Sequence, residues 1–133
     1  MAHIGNWEWD LVSDKLLWSA EMYSIFGLSP TELASTYNEY LNCVHPDNRD
    51  CVADAFKKAL NGEPYSIDYR IILADGEERV VHEQGEVICE KNIPIRMIGT
   101  VQDITERKKT EEKIQSLANI VESSNDAIVT KES

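Results

Sequence analysis

One stretch of alternating side chains constrains the fold more than any other part of the sequence. The apolar residues of this stretch share one parity: Tyr65, Ile67, Tyr69, Ile71 and Leu73. Polar residues such as Asp68 and Arg70 fall between them, and this period of two is typical of a strand with one buried side. Asp75-Gly76 follows and predicts a tight hairpin turn, because glycine tolerates a positive φ. The chain is therefore expected to contain an antiparallel sheet with one covered face.

Four further segments are predicted as strands, at residues 7–11, 16–18, 79–89 and 93–101. The first alternates Trp7, Trp9 and Leu11 with acidic residues, which again indicates a half-buried strand. Lys91-Asn92 predicts the turn that joins the last two strands. Together with the central stretch, these segments predict a sheet of five antiparallel strands.

Helix signals fill the space between the second and third strands. Ser19 is placed to cap a first short helix that stops at Gly27, and Ser29-Pro30-Thr31-Glu32 has the pattern of a capping box. Thr36 and Glu39 repeat this device. Asp47 is predicted to open the longest of these helices, with Gly62 after its end. The predicted fold class is α+β, with small helices packed on one face of the sheet.

A charged helix is predicted after the last strand. Asp103-Ile104-Thr105-Glu106 has the spacing of a cap followed by Glu at the third position, and the helix runs from 106 to 122. Its apolar residues Ile114, Leu117 and Val121 are spaced like a short coiled-coil seam. A helix this polar needs a partner for that seam, most simply its copy in a homodimer.

Composition excludes several classes of function. The 133 residues carry 24 acidic against 13 basic side chains, a net charge of −11, so direct nucleic-acid binding is not expected. Three cysteines without CxxC spacing favour a reducing cytoplasm over a disulfide scaffold. No stretch approaches the length of an apolar membrane span, so direct membrane insertion is not expected. A membrane anchor elsewhere in a parent protein is compatible with this.

An ordered set of short motifs resembles a PAS domain of the PAS_3 type with a C-terminal PAC motif. The matching pieces, in the family's order, are Trp7-Glu8-Trp9-Asp10, Trp18-Ser19, His45-Pro46-Asp47-Asn48-Arg49, Asp68-Tyr69-Arg70-Ile71, Asp75-Gly76 and the run from Gly99 to Arg107. Asn48 and Val80 depart from the family, where a second Asp and a Trp are common. Each piece is weak alone, but the ordered set is specific.

The resemblance implies a sensory role and a division of the chain. Residues 1–105 would form the PAS/PAC domain, 106–122 a linker helix, and 123–133 the truncated start of a following PAS domain. Such domains fold around a small cavity and pass its state to a flanking helix, so Asp103, Ile104 and Thr105 are the expected relay. They are typically coupled to histidine kinases or diguanylate cyclases, and a fragment of a sensor histidine kinase is therefore expected.

A cavity for a small-molecule ligand is the candidate site. Its predicted lining is Phe26, Leu33, Tyr37, Leu41, Val44, Tyr69, Ile71, Met97 and Val101. The same residues could simply fill a core, and sequence favours neither alternative. The second functional hypothesis is accordingly a ligandless dimerisation and relay module between neighbouring PAS units.

Other chemistry is expected to be absent. His45 is a candidate haem ligand by type, but His45-Pro46-Asp47 is better explained as a turn before a helix. Cys43 follows Asn42 without the continuation that a flavin photoreceptor needs. Neither haem nor flavin is therefore expected. Cys43, His45, Cys51 and Cys89 lack the close pairs of a zinc site, so no metal is expected. No catalytic motif occurs, and the fragment is predicted not to be an enzyme.

Overall fold

The computed structural model describes residues 3–29 and 36–115. Five strands form one antiparallel sheet: β1 (Ile4–Asp10), β2 (Lys15–Trp18), β3 (Tyr65–Ile72), β4 (Glu78–Glu90) and β5 (Ile93–Asp103). Their spatial order is β2-β1-β5-β4-β3, so the last strand in the sequence is central. The predicted α+β class and the five-stranded antiparallel sheet are confirmed.

Short helices cover one face of this sheet. They are α1 (Ala20–Phe26), α2 (Tyr37–Cys43), a 3-10 turn (Pro46–Asn48) and α3 (Arg49–Leu60). Helix α1 packs on β1, β2 and β5, while α3 packs on β3 and β4. Residues 105–115 continue from β5 as a further helix, here called the exit helix.

Local signals in the sequence explain most of these boundaries. The Thr36 hydroxyl oxygen accepts a hydrogen bond from the Glu39 backbone N–H at 3.3 Å and caps α2. Gly27 ends α1 with φ at 67°. Lys91 and Asn92 also adopt positive φ values, 52° and 67°, as the tight turn between β4 and β5 requires.

Two details of the predicted helix starts need correction. Asp47 does not open the long helix; it lies in the 3-10 turn, and α3 begins at Arg49 with Asn48 as its cap residue. Ser19 occupies the cap position of α1 but makes no side-chain cap bond. Its hydroxyl oxygen accepts instead from the Asn6 backbone N–H at 2.9 Å, which ties α1 to β1.

A row of residues across three strands shapes the centre of the inner sheet face. Trp7 on β1 pairs with Gly99 on β5, and Gly99 pairs with Gly85 on β4. A Cβ atom on Gly99 would lie 2.5 Å from the Trp7 ring and would collide with the backbone carbonyl of Gln84. The indole therefore occupies the space that the two glycines leave over the sheet.

Several predicted features lie outside the described residues. These are Leu33, the Pro30-Thr31-Glu32 part of the capping box, residues 116–122 of the predicted linker helix with Leu117 and Val121, and residues 123–133. Within the part of the chain that is described, no helix combines the length and the apolar character needed to cross a lipid bilayer.

Candidate functional site

A small inner cavity lies between the sheet and the helices. Its described lining is aromatic and apolar apart from one carboxyl group: Trp7, Trp9, Leu16, Trp18, Met22, Tyr37, Tyr40, Phe56 and Glu83. The cavity volume is about 10 Å³. That is roughly the least space in which one water molecule fits, so the interior is nearly filled by side chains.

Packed rings form part of the wall of this cavity. Trp9 and Tyr37 stack with centroids 4.8 Å apart and planes within 13°. Phe56 meets both rings edge-on, at 5.6 Å from Trp9 and 5.3 Å from Tyr37. Offset stacks and edge-on contacts are the favoured arrangements of aromatic pairs, so these contacts stabilise the wall.

A buried carboxyl group with three phenol partners borders the cavity, and we call it the Glu83 cluster (Glu83, Tyr40, Tyr65 and Tyr69). Glu83 is only 2% exposed. The hydroxyls of Tyr65, Tyr40 and Tyr69 donate to Glu83 Oε1 at 2.6, 2.9 and 3.1 Å. The hydroxyls of Tyr40 and Tyr69 are also 2.8 Å apart. One oxygen of β4 thus accepts hydrogen bonds from phenols on two other elements, α2 and β3.

The strand register explains this convergence. Glu83 on β4 pairs with Ile67 on β3, so Tyr65 and Tyr69 are its diagonal neighbours on the same face. Diagonal neighbours lie within reach of long aromatic side chains. Tyr40 comes down from α2, where it is buried at 3% exposure. The cluster therefore joins α2, β3 and β4.

Burial dominates the electrostatics of the cluster. Desolvation raises the pKa of Glu83 from 4.5 to about 7, although hydrogen bonds from Tyr65, Tyr40 and Tyr69 act in the opposite direction. Burial also raises the pKa of Tyr40, Tyr65 and Tyr69 well above 10, with the Glu83 charge adding to the effect. The phenols thus stay protonated at neutral pH, while Glu83 changes its charge there.

Trp7 adds a second polar feature to the cavity wall. Its indole is 5% exposed, and Nε1 has no hydrogen-bond partner among the described residues. A buried N–H without an acceptor is uncommon and costly. The space beside it can hold about one water molecule, which could accept this hydrogen bond.

The junction between β5 and the exit helix is tied to β4. The Thr105 hydroxyl donates to Asp103 Oδ1 at 2.6 Å and accepts from the Val80 backbone N–H at 3.0 Å. The Ile104 N–H donates to the Val80 carbonyl at 2.9 Å, and the Ile104 side chain is 2% exposed. The start of the exit helix is therefore fixed to the middle strands of the sheet.

The predicted cavity residues are distributed through the core. Among those that the structure describes, Tyr37 lines the cavity, and Tyr69 belongs to the Glu83 cluster. Five others are buried in the surrounding core, namely Phe26, Val44, Ile71, Met97 and Val101. Leu41 is partly buried against that core. Their role as ligand contacts stays a prediction.

Sequence reasoning missed the most polar part of the site. The sequence patterns single out neither Glu83 as a buried acid nor Tyr40 and Tyr65 as its partners. A signal was available: Glu83 has the same strand parity as Val81, which is fully buried. An acidic residue at the buried parity of a strand indicates a specific environment.

The structure gives His45 and Cys43 ordinary surroundings. His45 Nδ1 accepts from the Asp47 backbone N–H at 3.1 Å, and Nε2 lies 3.0 Å from Glu78 Oε1. Burial raises the pKa of the Cys43 thiol, whereas reactive cysteines have lowered values. No metal-binding group of His, Cys, Asp or Glu occurs within residues 3–29 and 36–115.

Comparison with known proteins places the chain in a family. A family model described as a PAS fold matches residues 15–101. A blue-light-activated histidine kinase from Brucella ovis is 38% identical over 111 residues, which are 84% of this chain and 22% of the kinase. The chain therefore spans less than a quarter of that relative's length.

Solved structures agree with the family model. A sensory box histidine kinase/response regulator from Burkholderia thailandensis covers 92% of both chains with a TM-score of 0.77 and 27% identity. An RNA-binding light-oxygen-voltage receptor shares the fold at a TM-score of 0.69 and 20% identity, with 89% of this chain and 36% of the receptor covered. Two of these three proteins are named for light, so the expected absence of flavin stays a prediction. The chain belongs to the PAS-fold family and is a signal-input domain.

Proposed function

We propose that this domain receives its signal at the Glu83 cluster and inner cavity, and that Asp103, Ile104 and Thr105 relay it to the exit helix. The observation that carries the proposal is the double attachment of Thr105 to Asp103 and Val80. Val80 and Glu83 lie on the same strand, three residues apart. A shift of β4 at the cluster would therefore alter the hydrogen bonds that hold the first turn of the exit helix.

Thr105→Val tests this relay because it keeps the shape of the side chain and removes its hydroxyl. Amide hydrogen exchange in residues 105–115 should become faster, while exchange in β1 and β3 stays the same. Thr110→Val is the matched control, since Thr110 is an exposed residue of the same helix. In the full-length parent protein, Thr105→Val should also uncouple output from stimulus. Unchanged exchange in the exit helix would refute the relay.

A ligandless dimerisation and relay module is the second candidate function. The cavity of about 10 Å³ favours it, because a larger ligand could enter only if aromatic side chains moved. Exposed apolar side chains favour it as well: Leu17 and Ile98 on the outer sheet face and Ile114 on the exit helix, exposed by 63%, 38% and 61%. The two functions differ in whether a second chain or a bound molecule supplies the signal.

The same observations guide proposals about the parent protein. Histidine kinases among the relatives support a sensor kinase as the parent, with this domain itself non-catalytic. Three unpaired cysteines support a reducing cytoplasm. The small cavity and the raised pKa of Cys43 support a domain without flavin, and the occupied nitrogens of His45 support one without haem. A purified sample with a visible absorption band would overturn the cofactor proposal.

A further inference from the structure

Glu83 is an unusual group for the centre of a sheet. It forms no salt bridge with any residue in the described ranges 3–29 and 36–115. Val81 and Val101, its neighbours along and across the sheet, are fully buried apolar residues. Well-packed apolar side chains often replace buried ionic groups without loss of stability. Packing alone therefore does not explain a carboxyl group at this position.

We propose that Glu83 is the residue that receives the signal and that the ligand it binds is a proton. This inference rests on the proposed function, because it names the input to the same relay. The site is complete within the domain, and a proton needs no more space than the small cavity provides.

The chemistry is a single protonation. A proton from bulk solvent adds to the Glu83 carboxylate and gives a neutral carboxyl group; on return, the proton goes back to solvent. The titratable groups that face Glu83 are phenols, those of Tyr37 and Tyr40 from α2 and Tyr65 and Tyr69 from β3. Burial raises the pKa of Tyr37 to about 12 and those of the others well above 10, so they keep their hydrogens.

The remaining elements around Glu83 present no titratable side chain to it among the described residues. They contribute Trp7 from β1, Met22 from α1, Phe56 from α3 and Val101 from β5. His82 is the next residue on β4 but lies on the opposite sheet face, where Nδ1 is 2.6 Å from Asp68 Oδ1. Lys108 of the exit helix is 3.7 Å from the other Asp68 oxygen. An experiment must therefore separate the effect of Glu83 from any effect of these outer groups.

Protonation changes what holds α2 and β3 to β4. The carboxylate accepts three phenol hydrogen bonds, and bonds to a charged acceptor are the stronger kind. The neutral carboxyl group is a weaker acceptor and has an O–H that itself needs an acceptor. Tyr40 is the link to α2, while Tyr65 and Tyr69 are the links to β3. The change in charge therefore alters the contacts of β4 close to Val80, which holds the exit helix.

The pKa of about 7 gives this site its working range. Both forms of Glu83 are then well populated near neutrality, and a small change in pH changes their ratio. A ligand shifts a conformational equilibrium only by its difference in affinity for the two states. When the ligand is a proton, this difference in affinity is set by the difference between the Glu83 pKa values of the two conformational states.

Nuclear magnetic resonance on the 133-residue chain with ¹³C-labelled glutamate side chains tests the proposal. One glutamate carboxyl carbon should titrate near neutral pH, and its signal should be absent from Glu83→Gln. The amide signals of Val80, Ile104 and Thr105 should shift with the same midpoint in the wild type and stay constant in Glu83→Gln. Glu86→Gln, an exposed change on the same strand, should leave the titration unaltered.

Two further variants separate the cluster from its surroundings. Tyr65→Phe removes the shortest hydrogen bond to the carboxylate and should move the midpoint upward by about one pH unit. His82→Gln should move the midpoint upward by less than Tyr65→Phe does, because the His82 charge has a smaller lowering effect on the Glu83 pKa than the Tyr65 hydrogen bond. A Glu83 carbon that does not titrate near neutrality overturns the proposal, as do Ile104 and Thr105 shifts that persist in Glu83→Gln. Either result leaves the Thr105→Val exchange experiment as an independent test of the relay.

Discussion

At the scale of single residues, Glu83 sets the polarity of an otherwise apolar interior. Its carboxyl group is 2% exposed, and three phenols are the donors that compensate its charge. Hydrogen bonds offset only part of the cost of removing a charge from water. The raised pKa is the direct result, and it makes the stability of the fold depend on pH.

The pH dependence of stability has a definite sign. The Glu83 pKa is raised from 4.5 to about 7 on folding, so the folded chain binds more protons than the unfolded chain between these values. The contribution of Glu83 to the free energy of unfolding is fully present below about pH 4.5 and is lost as pH rises through about 7. Each unit of difference between the folded and unfolded pKa is worth about 1.4 kcal/mol. The shift from 4.5 to about 7 therefore corresponds to a loss on the order of 3 kcal/mol.

Urea unfolding of the wild type and Glu83→Gln at constant salt measures this contribution. As the pH rises from 4.5 to about 7, the wild type should lose stability relative to Glu83→Gln, because only the wild type carries the titrating carboxyl group. Glu86→Gln should show no such change, because its side chain is exposed. A wild-type-minus-variant difference that is independent of pH would contradict the assigned pKa.

At the scale of elements, the sequence predicted the features that depend on neighbouring residues and missed those that depend on distant ones. The alternation in β3 and the turn at Lys91-Asn92 depend on nearby residues, and both were predicted. The start of α3 was misplaced because Pro46 begins a 3-10 turn that delays the helix by two residues. Strand parity indicates that Glu83 is buried, but the partners of Glu83 depend on strand register and on the position of α2, which no local pattern encodes.

The row of Trp7, Gly99 and Gly85 gives a prediction about the sheet. Gly99→Ala places a methyl group against the indole and a backbone carbonyl, so we expect a loss of about 3 kcal/mol in the free energy of unfolding. Thr100→Ala, on the other face of β5, is the control and should cost much less. Thermal unfolding followed by near-ultraviolet circular dichroism measures both. Equal stability of the two variants would show that both the indole and the Gln84 carbonyl can move away from the added methyl group.

At the scale of the whole molecule, the exit helix is the part of the fold that extends from the sheet. Its described residues are mostly exposed, and Lys108 makes one salt bridge to β3 through Asp68 at 3.7 Å. A half-exposed ion pair of this length contributes little to stability. Ile114 is an apolar side chain that is 61% exposed, so it is available for contact with a second chain.

Replacing Ile114 and Leu117 together by Lys tests homodimer formation through this helix. If the seam is the interface, the variant should be monomeric, because two buried lysines would repel their copies. Gln115→Lys adds a single positive charge at an exposed position between them and should leave the dimer intact. Size-exclusion chromatography with light scattering measures the mass. A dimer that survives the double substitution would indicate that the outer sheet face holds the chains together.

The placement of Trp7 also gives the domain an intrinsic optical probe. The same indole borders the inner cavity and an outer surface groove around Gly85 and Gly99. A change inside the fold and a molecule docked on the opposite side of the sheet would both alter the surroundings of one fluorophore. With Trp9 and Trp18 changed to Phe, emission from Trp7 would follow events on either side of the sheet without any added label.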